Sequence, residues 1–258
     1  MIKVIVVGAL GRMGRTTCEA VMDADGLELA AAVDIAYANG DAAATDNLAA
    51  TPRFASLKEC LGSGEFDVAV DFTVPDQVLD NVKACLGKGV RCVVGTTGLD
   101  GARLQEIEAA ARESGVGCLV APNFAIGAVL LMELAKIAAR YLPHCEIIEL
   151  HHDGKLDAPS GTALRTADLI AADRREAPPV PGPEGNSARG VIYQGIPIHS
   201  VRLPGMVAHQ EVVFGGQGQT LSIRHDSISR DSFMPGVVLA VRRVMDIDGL
   251  VVGLEKIM

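Results

Sequence analysis

Along the first half of the chain, short β-branched runs alternate with longer stretches whose apolar positions recur at helical spacing. The run at residues 2–7, Ile-Lys-Val-Ile-Val-Val, predicts a buried strand. A glycine-rich turn follows, then a helical pattern over 15–23 and a second strand over 27–33 that ends on Asp34. Together these predict a βαβ unit of ordinary length. Residues 36–53, rich in Ala, Asn, Asp and Thr, predict a mobile loop. Strands are then expected at 66–72, 91–94 and 117–121, separated by helices over 76–88 and 100–113.

The pattern changes after Asn123. A long Ala/Leu/Met helix over 127–141 precedes a strand at 146–150 and a second helix over 162–176. Residues 177–190 form a Pro/Gly/Glu-rich loop, and strand-like segments follow at 191–198, 200–203 with 207–214, and 219–225. A final apolar helix over 233–245 has no strand context of its own and is expected to pack back on the first half. The expected fold class is therefore α/β, with a parallel-sheet first domain and an α+β second domain. The boundaries are placed at 1–124 with 231–258, and at 125–230. The two covalent crossings, near residues 123–127 and 229–233, are the expected hinges.

Composition narrows the picture. Hydrophobic residues make up 49% of the chain, but aromatics only 3% and Trp none, so the cores must be aliphatic. The six cysteines, Cys18, Cys60, Cys85, Cys92, Cys118 and Cys145, form no CxxC pair and lie in apolar surroundings. They are expected to be buried free thiols of a reducing cytoplasm. A net charge of -9 argues against nucleic acid as a partner. No apolar run reaches the ~18 residues of a membrane span, and with a strand from residue 2 no signal peptide is expected.

Two segments carry candidate chemistry. Gly8-Ala9-Leu10-Gly11-Arg12-Met13-Gly14 opens a helix directly after the first strand. Glycines there permit a tight turn and close approach of phosphate oxygens, and the helix N-terminus favours negative charge. Asp34, 20 residues after Gly14, stands where a carboxylate accepts hydrogen bonds from ribose hydroxyls. A carboxylate at Asp34 followed by uncharged Ile35 repels a 2′-phosphate, so NADH is favoured; Arg12 leaves NADPH possible. Gly95-Thr96-Thr97 and Ala121-Pro122-Asn123-Phe124 end later strands on the same expected sheet edge, where a nicotinamide would lie, although ordinary turn chemistry explains the first equally well.

The second segment is Glu149-Leu150-His151-His152-Asp153-Gly154-Lys155-Leu156-Asp157-Ala158-Pro159-Ser160-Gly161-Thr162-Ala163. Two histidines, a lysine and a turn that opens a helix make a receptor for an anion with proton donors built in. Asp157 is expected to orient the loop. No metal is expected, because the remaining histidines, His144, His199, His209 and His225, form no H-x3-H pattern. Ser160 lacks a GxSxG context, which disfavours a hydrolase nucleophile.

In order along the chain, the glycine turn, Asp71-Phe72-Thr73, Gly95-Thr96-Thr97-Gly98, Pro122-Asn123-Phe124 and the fifteen-residue histidine string resemble the dihydrodipicolinate reductase family. The resemblance implies a Rossmann-type nicotinamide-binding domain completed by the C-terminal helix, and a mixed-sheet domain that binds substrate and builds a homotetramer. It implies reduction of 4-hydroxy-tetrahydrodipicolinate, a small cyclic imine with two carboxylates, on the diaminopimelate route to lysine. His151 matches the family's proton donor/acceptor and Lys155 its proton donor. His152 and the amides of Gly161 and Thr162 match substrate contacts. Gly8 to Gly14, Asp34, Gly95 to Thr97 and Ala121 to Phe124 match cofactor contacts. Some members carry a basic residue where this chain has Ile35. Another imine or carbonyl reductase on the same plan, and a non-catalytic dinucleotide sensor, stay open as alternatives; intact Lys155 and His151 speak against the sensor.

Overall fold

The computed structural model describes residues 1–39, 48, 50–180 and 187–258. Parts of two expected loops, 40–47 with 49 and 181–186, lie outside the described residues. The chain divides into two compact units, Met1–Phe124 with Phe233–Met258, and Ala125–Ser232.

The first unit is built on a seven-stranded sheet. Its strands are β1 (Ile2–Val7), β2 (Leu27–Val33), β3 (Arg53–Phe54), β4 (Val68–Asp71), β5 (Arg91–Val94), β6 (Cys118–Val120) and β12 (Leu250–Val252). They pair in parallel in the order β12-β6-β5-β4-β1-β2-β3. The order reverses beside β1, which is the doubly wound Rossmann arrangement, with its ligand crevice outside the carboxyl ends of the strands. Near-continuous apolar strands suit a sheet covered on both faces: Val4, Ile5, Val6, Val68, Val70, Val93 and Val94 are fully buried.

Several local expectations are corrected. Helix α1 runs over Arg12–Asp23, three residues earlier than the apolar pattern suggests, because Gly11 is its N-cap and Arg15 N–H already donates to the Gly11 carbonyl. Residues 35–39 form a 3-10 turn rather than open loop. The short helix α2 (Leu57–Ser63) was not expected; seven residues give too few turns for a periodic pattern, although Leu57, Cys60 and Leu61 are buried. Helices α3 (Pro75–Leu86) and α4 (Gly101–Ser114) follow the predicted positions closely. After helix α7 (Met234–Arg243) the chain adds β12, so the C-terminal segment does have a strand. Three residues are too few to show a strand period. Within this unit α7 packs on α1, where Thr17 Oγ1 donates to Met234 Sδ at 3.8 Å.

The second unit contains α5 (Ile126–Ala139), β7 (His144–His151), α6 (Gly161–Asp173), β8 (Val191–Tyr193), β9 (Ile196–Arg202), β10 (Ala208–Gly216) and β11 (Gln219–Ser227). The sheet order is β11-β10-β7-β9-β8, with β7 and β9 parallel and every other pair antiparallel, so the sheet is mixed. The single strand expected at 191–198 is a hairpin. Gln194 and Gly195, at φ 51° and 69°, make a tight turn that reverses the chain. Strand alternation sends Ile147, Ile198, Val212 and Phe214 into the core with α5 and α6. Their neighbours Ile148, Val201 and Val213 lie on the opposite, half-buried face.

The cysteines are free thiols, but Cys145 is only half-buried, unlike the other five. Burial pushes the Cys60 thiol up to about 12 and the Cys145 thiol up to about 11, so both stay protonated.

Candidate functional site

In the first unit the candidate residues gather at the carboxyl ends of β1, β2, β4, β5 and β6. The glycine turn is shaped by backbone sterics. Gly8 sits at φ 81°, where side chains are strained, and a Cβ there would lie 2.9 Å from the Phe72 carbonyl oxygen. A Cβ on Gly14 would lie 2.0 Å from the Gly8 carbonyl oxygen, so only glycine lets the first turn of α1 press against the end of β1. Gly8 and Ala9 N–H groups both donate to the Val33 carbonyl, at 2.8 and 3.1 Å, and so tie the turn to β2. Arg12, Met13 and Gly14 belong to the first turn of α1, with Arg12 exposed.

The Asp34 carboxylate accepts from Leu10 N–H through Oδ2 and from Ala36 N–H through Oδ1, both at 3.0 Å. It therefore bridges the glycine turn to the next turn and keeps further lone pairs for a ligand. Gly8, Gly11, Asp34, Ile35, Thr73 and Asn81 help to line a cavity of about 500 Å³. A phosphate-compatible glycine turn and a ribose-compatible carboxylate on one cavity wall fit the adenosine half of a dinucleotide.

Gly95 and Thr96 lie beside that turn. Gly95 N–H donates to the Asp71 carbonyl at 2.9 Å, and a Cβ on Gly95 would strike the Phe72 ring at 2.1 Å. Buried Thr96 donates to the Thr73 carbonyl at 3.1 Å and to Asp71 Oδ1 at 3.3 Å, while Thr97 is exposed. Ala121 N–H donates to the Val94 carbonyl at 3.0 Å, and the Phe124 ring meets Phe72 edge-on at 5.9 Å. Pro122 and Asn123 complete that strand end.

Two organisers of this edge, Asp71 and Phe72, were named from the sequence only within the family resemblance, with no role given to either. Asp71, 3% exposed, accepts from Thr73 N–H, Thr73 Oγ1, Asn81 Nδ2 and Thr96 Oγ1. Phe72 is the surface against which Gly8, Gly95 and Phe124 are fitted. An acidic residue ending an apolar strand just before Thr73 was the available clue.

In the second unit, β7 delivers His151 at its end, and the following loop carries His152, Lys155 and Asp157 into α6. Lys155 Nζ donates to both Asp157 oxygens at 2.7 Å, and this hydrogen bond holds the Asp157 carboxyl below its usual range. His152 is exposed. Ser160 Oγ caps α6 by accepting from Ala163 N–H at 3.2 Å, which places Gly161 and Thr162 as the first two residues of the helix. The expected site residues thus share one strand end, one loop and one helix start.

Glu149 opens the histidine string but had no role assigned from the sequence, and Arg202 was not singled out at all. Glu149 is fully buried. Arg202 on β9 donates to both its oxygens at 2.8 Å, and also to the carbonyls of Lys155 at 3.3 Å and Asp157 at 2.7 Å. Burial works to raise the Glu149 carboxyl, but hydrogen bonds from His151, Arg202 and Ser200 outweigh it and bring it down to about 2. Glu149 precedes His151 by two residues, which puts both on one strand face. Nothing local marks Arg202, which arrives only because β9 pairs parallel to β7 with Arg202 beside His151.

Among the described residues no group of three or more His, Cys, Asp or Glu side chains is placed to hold a metal, and no helix is long and apolar enough to cross a membrane.

Comparison with known proteins gives a consistent result. The family described as dihydrodipicolinate reductase, N-terminus, matches residues 2–124, and its C-terminus counterpart matches 127–258. The 4-hydroxy-tetrahydrodipicolinate reductase of Halalkalibacterium halodurans is 51% identical over 262 residues, covering 100% of this chain and 99% of that protein. The enzyme of the same name from Bacillus pumilus is 50% identical, covering 99% and 97%. A dipicolinate-bound dihydrodipicolinate reductase from Paenisporosarcina sp. TG-14 superposes with a TM-score of 0.90 at 45% identity, covering 100% of both chains. An amine dehydrogenase from Mycobacterium smegmatis, at 13% identity and a TM-score of 0.66 over 97% of this chain and 94% of that one, shares the fold alone.

Proposed function

This chain belongs to the dihydrodipicolinate reductase family, and from that premise we propose how its own residues divide the work. It is an NAD(P)H-dependent oxidoreductase that reduces 4-hydroxy-tetrahydrodipicolinate to tetrahydrodipicolinate in the diaminopimelate route of lysine biosynthesis. The nicotinamide supplies the hydride. The chain must hold the dinucleotide, hold a dianionic cyclic imine and deliver a proton.

The turn Gly8 to Gly14, with Asp34, holds the adenosine and pyrophosphate end. Gly95, Thr96 and Thr97, together with Ala121 to Phe124, border the nicotinamide. NADH is favoured, since Asp34 repels a 2′-phosphate and Ile35, 73% exposed on the same cavity wall, offers no charge to hold one. NADPH is accommodated less well, with Arg12 as its nearest cation within the turn.

Lys155 releases Asp157 to pair with a substrate carboxylate and to supply a proton. The amides of Gly161 and Thr162 receive a carboxylate at the start of α6, where the helix dipole favours it. His152 contacts the substrate, and His151 exchanges a proton with it. The observation that carries this assignment is the Lys155–Asp157 pair: a lysine presented on a short loop beside a helix start, held by an exposed partner it can exchange for a substrate anion.

The outer face of the five-stranded sheet, with Ile148, Val201 and Val213 beside the Arg224–Glu211 ion pair, joins copies into a homotetramer. The buried free thiols fit a cytoplasmic enzyme. Sedimentation tests the tetramer. The activity is tested by a coupled assay with pyruvate, aspartate semialdehyde and the upstream synthase. NADH oxidation should require all three, and oxidation absent with the synthase active would refute the assignment.

A further inference from the structure

A fully buried carboxylate in an aliphatic core needs partners, because desolvation penalises its charge. If Glu149 served only as the counter-charge of Arg202, the bidentate pair would suffice. Its two oxygens do more. Oε2 also meets His151 Nδ1 at 2.5 Å, and Oε1 accepts from Ser160 N–H, at the N-cap of α6, at 3.2 Å. One side chain therefore holds the ring of His151 and the start of the helix that carries Gly161 and Thr162.

The chemistry of the pair fixes which nitrogen carries hydrogen. An ionised carboxylate only accepts hydrogen bonds. The guanidinium of Arg202, donating to both oxygens, keeps Glu149 ionised. Nδ1 of His151 must then be the donor. The neutral ring keeps its lone pair on Nε2, and the protonated ring carries its exchangeable proton there. Facing the ring are Glu149 from β7 and Arg202 from β9. β10 presents uncharged Ala208 in the neighbouring register, α6 presents the uncharged Ser160 cap, and the loop adds His152 and the Lys155–Asp157 pair.

We propose that Glu149 is a positioning residue for the reduction: it holds His151 with Nδ1–H inward so that Nε2 exchanges the proton with substrate, while Arg202 prevents the carboxylate from taking that proton itself. The proposal rests on the assignment of His151 to the proton path, and two measurements separate the claims. In protein labelled with 15N at the histidine imidazoles, long-range NMR correlations assigned by loss of signal in His151→Ala should show the Nδ1–H tautomer for neutral His151. In Glu149→Gln the basic limb of the kcat/KM profile should move to lower pH. The rate at pH 8 should fall by at least about tenfold, a part of the ~10²–10⁴-fold that a general acid contributes, with NADH affinity unchanged. An Nε2–H tautomer in the native protein, or an unmoved limb in folded Glu149→Gln, overturns the role of Glu149. Native turnover in His151→Ala instead removes His151 from the proton path, and Glu149's part in that path with it. The tautomer measurement needs no variant at Glu149 and stands even if Glu149→Gln fails to fold.

Discussion

On the reading proposed above, the glycine turn of the first unit and the histidine loop of the second each take an anion, and they are built from different materials. At the glycine turn the missing side chains matter: Gly8 and Gly14 let the backbone approach itself, which leaves amides and a helix start as the groups proposed to bind. At the histidine loop, charged side chains are the proposed working groups, and their geometry comes from a buried network. Arg202 ties Glu149 to the carbonyls of Lys155 and Asp157. A dinucleotide pyrophosphate is long and needs a shaped surface. A small dianion about to accept hydride needs placed charges and a proton. The first site should therefore be sensitive to added volume and the second to removed charge.

The largest expected effect comes from removing the placed charge. Lys155→Ala should lower kcat by ~10²–10⁴-fold, the usual worth of a positioned proton donor. Stopped-flow and steady-state rates check this, and turnover within threefold of native would break the comparison on the substrate side.

Next is the network beneath the loop. Arg202→Met leaves the Glu149 carboxylate buried without its counter-charge, and should lower stability by ~3–5 kcal/mol in denaturant titrations. A change under about 1 kcal/mol, the size expected of a surface ion pair, would mean that Glu149 is solvated in solution.

Acid provides a milder version of the same test. The Glu149 carboxyl falls from its ordinary 4.5 to about 2 in the folded protein. A depressed carboxyl contributes stability that is present above pH 4.5 and lost as pH falls towards 2. The loss amounts to about 3 kcal/mol for a shift of this size. Glu149→Gln should lack this component, so the two proteins' stabilities should converge on acidification. Parallel curves from pH 5 to pH 2 would contradict it.

The smallest effect is on cofactor choice. Ile35→Arg adds a partner for a 2′-phosphate and should improve NADPH binding by ~1–2 kcal/mol in calorimetric titrations. Native NADPH binding much tighter than NADH would show that Asp34 does not set the preference.

The same contrast explains what was legible beforehand. The glycine spacing and Asp34 are local, so the βαβ unit and its turn could be read from consecutive residues. The histidine string was equally visible, as were Lys155 and its Asp157 brace. Arg202 was not, because it stands 53 residues from Glu149 and meets it only through the parallel pairing of β7 and β9. The hairpin at Gln194-Gly195 and the short elements α2 and β12 were missed for another reason. They hold too few residues for a hydrophobic period to declare itself. Helix α1 begins early because its first turn belongs to the glycine motif and offers Met13 as its one apolar side chain, too little for a period to show.

The most direct test is a crossed calorimetric titration, NADH first and then pyridine-2,6-dicarboxylate into the NADH-saturated protein, for the native chain, Gly14→Ala and Lys155→Ala. The added methyl of Gly14→Ala has no space beside the Gly8 carbonyl, so it should weaken NADH at least about tenfold, or ~1.4 kcal/mol, and leave the dicarboxylate nearly unchanged once NADH is saturating. Lys155→Ala should do the reverse, holding NADH within about threefold and weakening the dicarboxylate at least about 30-fold, or ~2 kcal/mol. A folded Lys155→Ala protein that loses NADH, or a Gly14→Ala protein that binds it as the native chain does, would contradict the division of labour between the two sites.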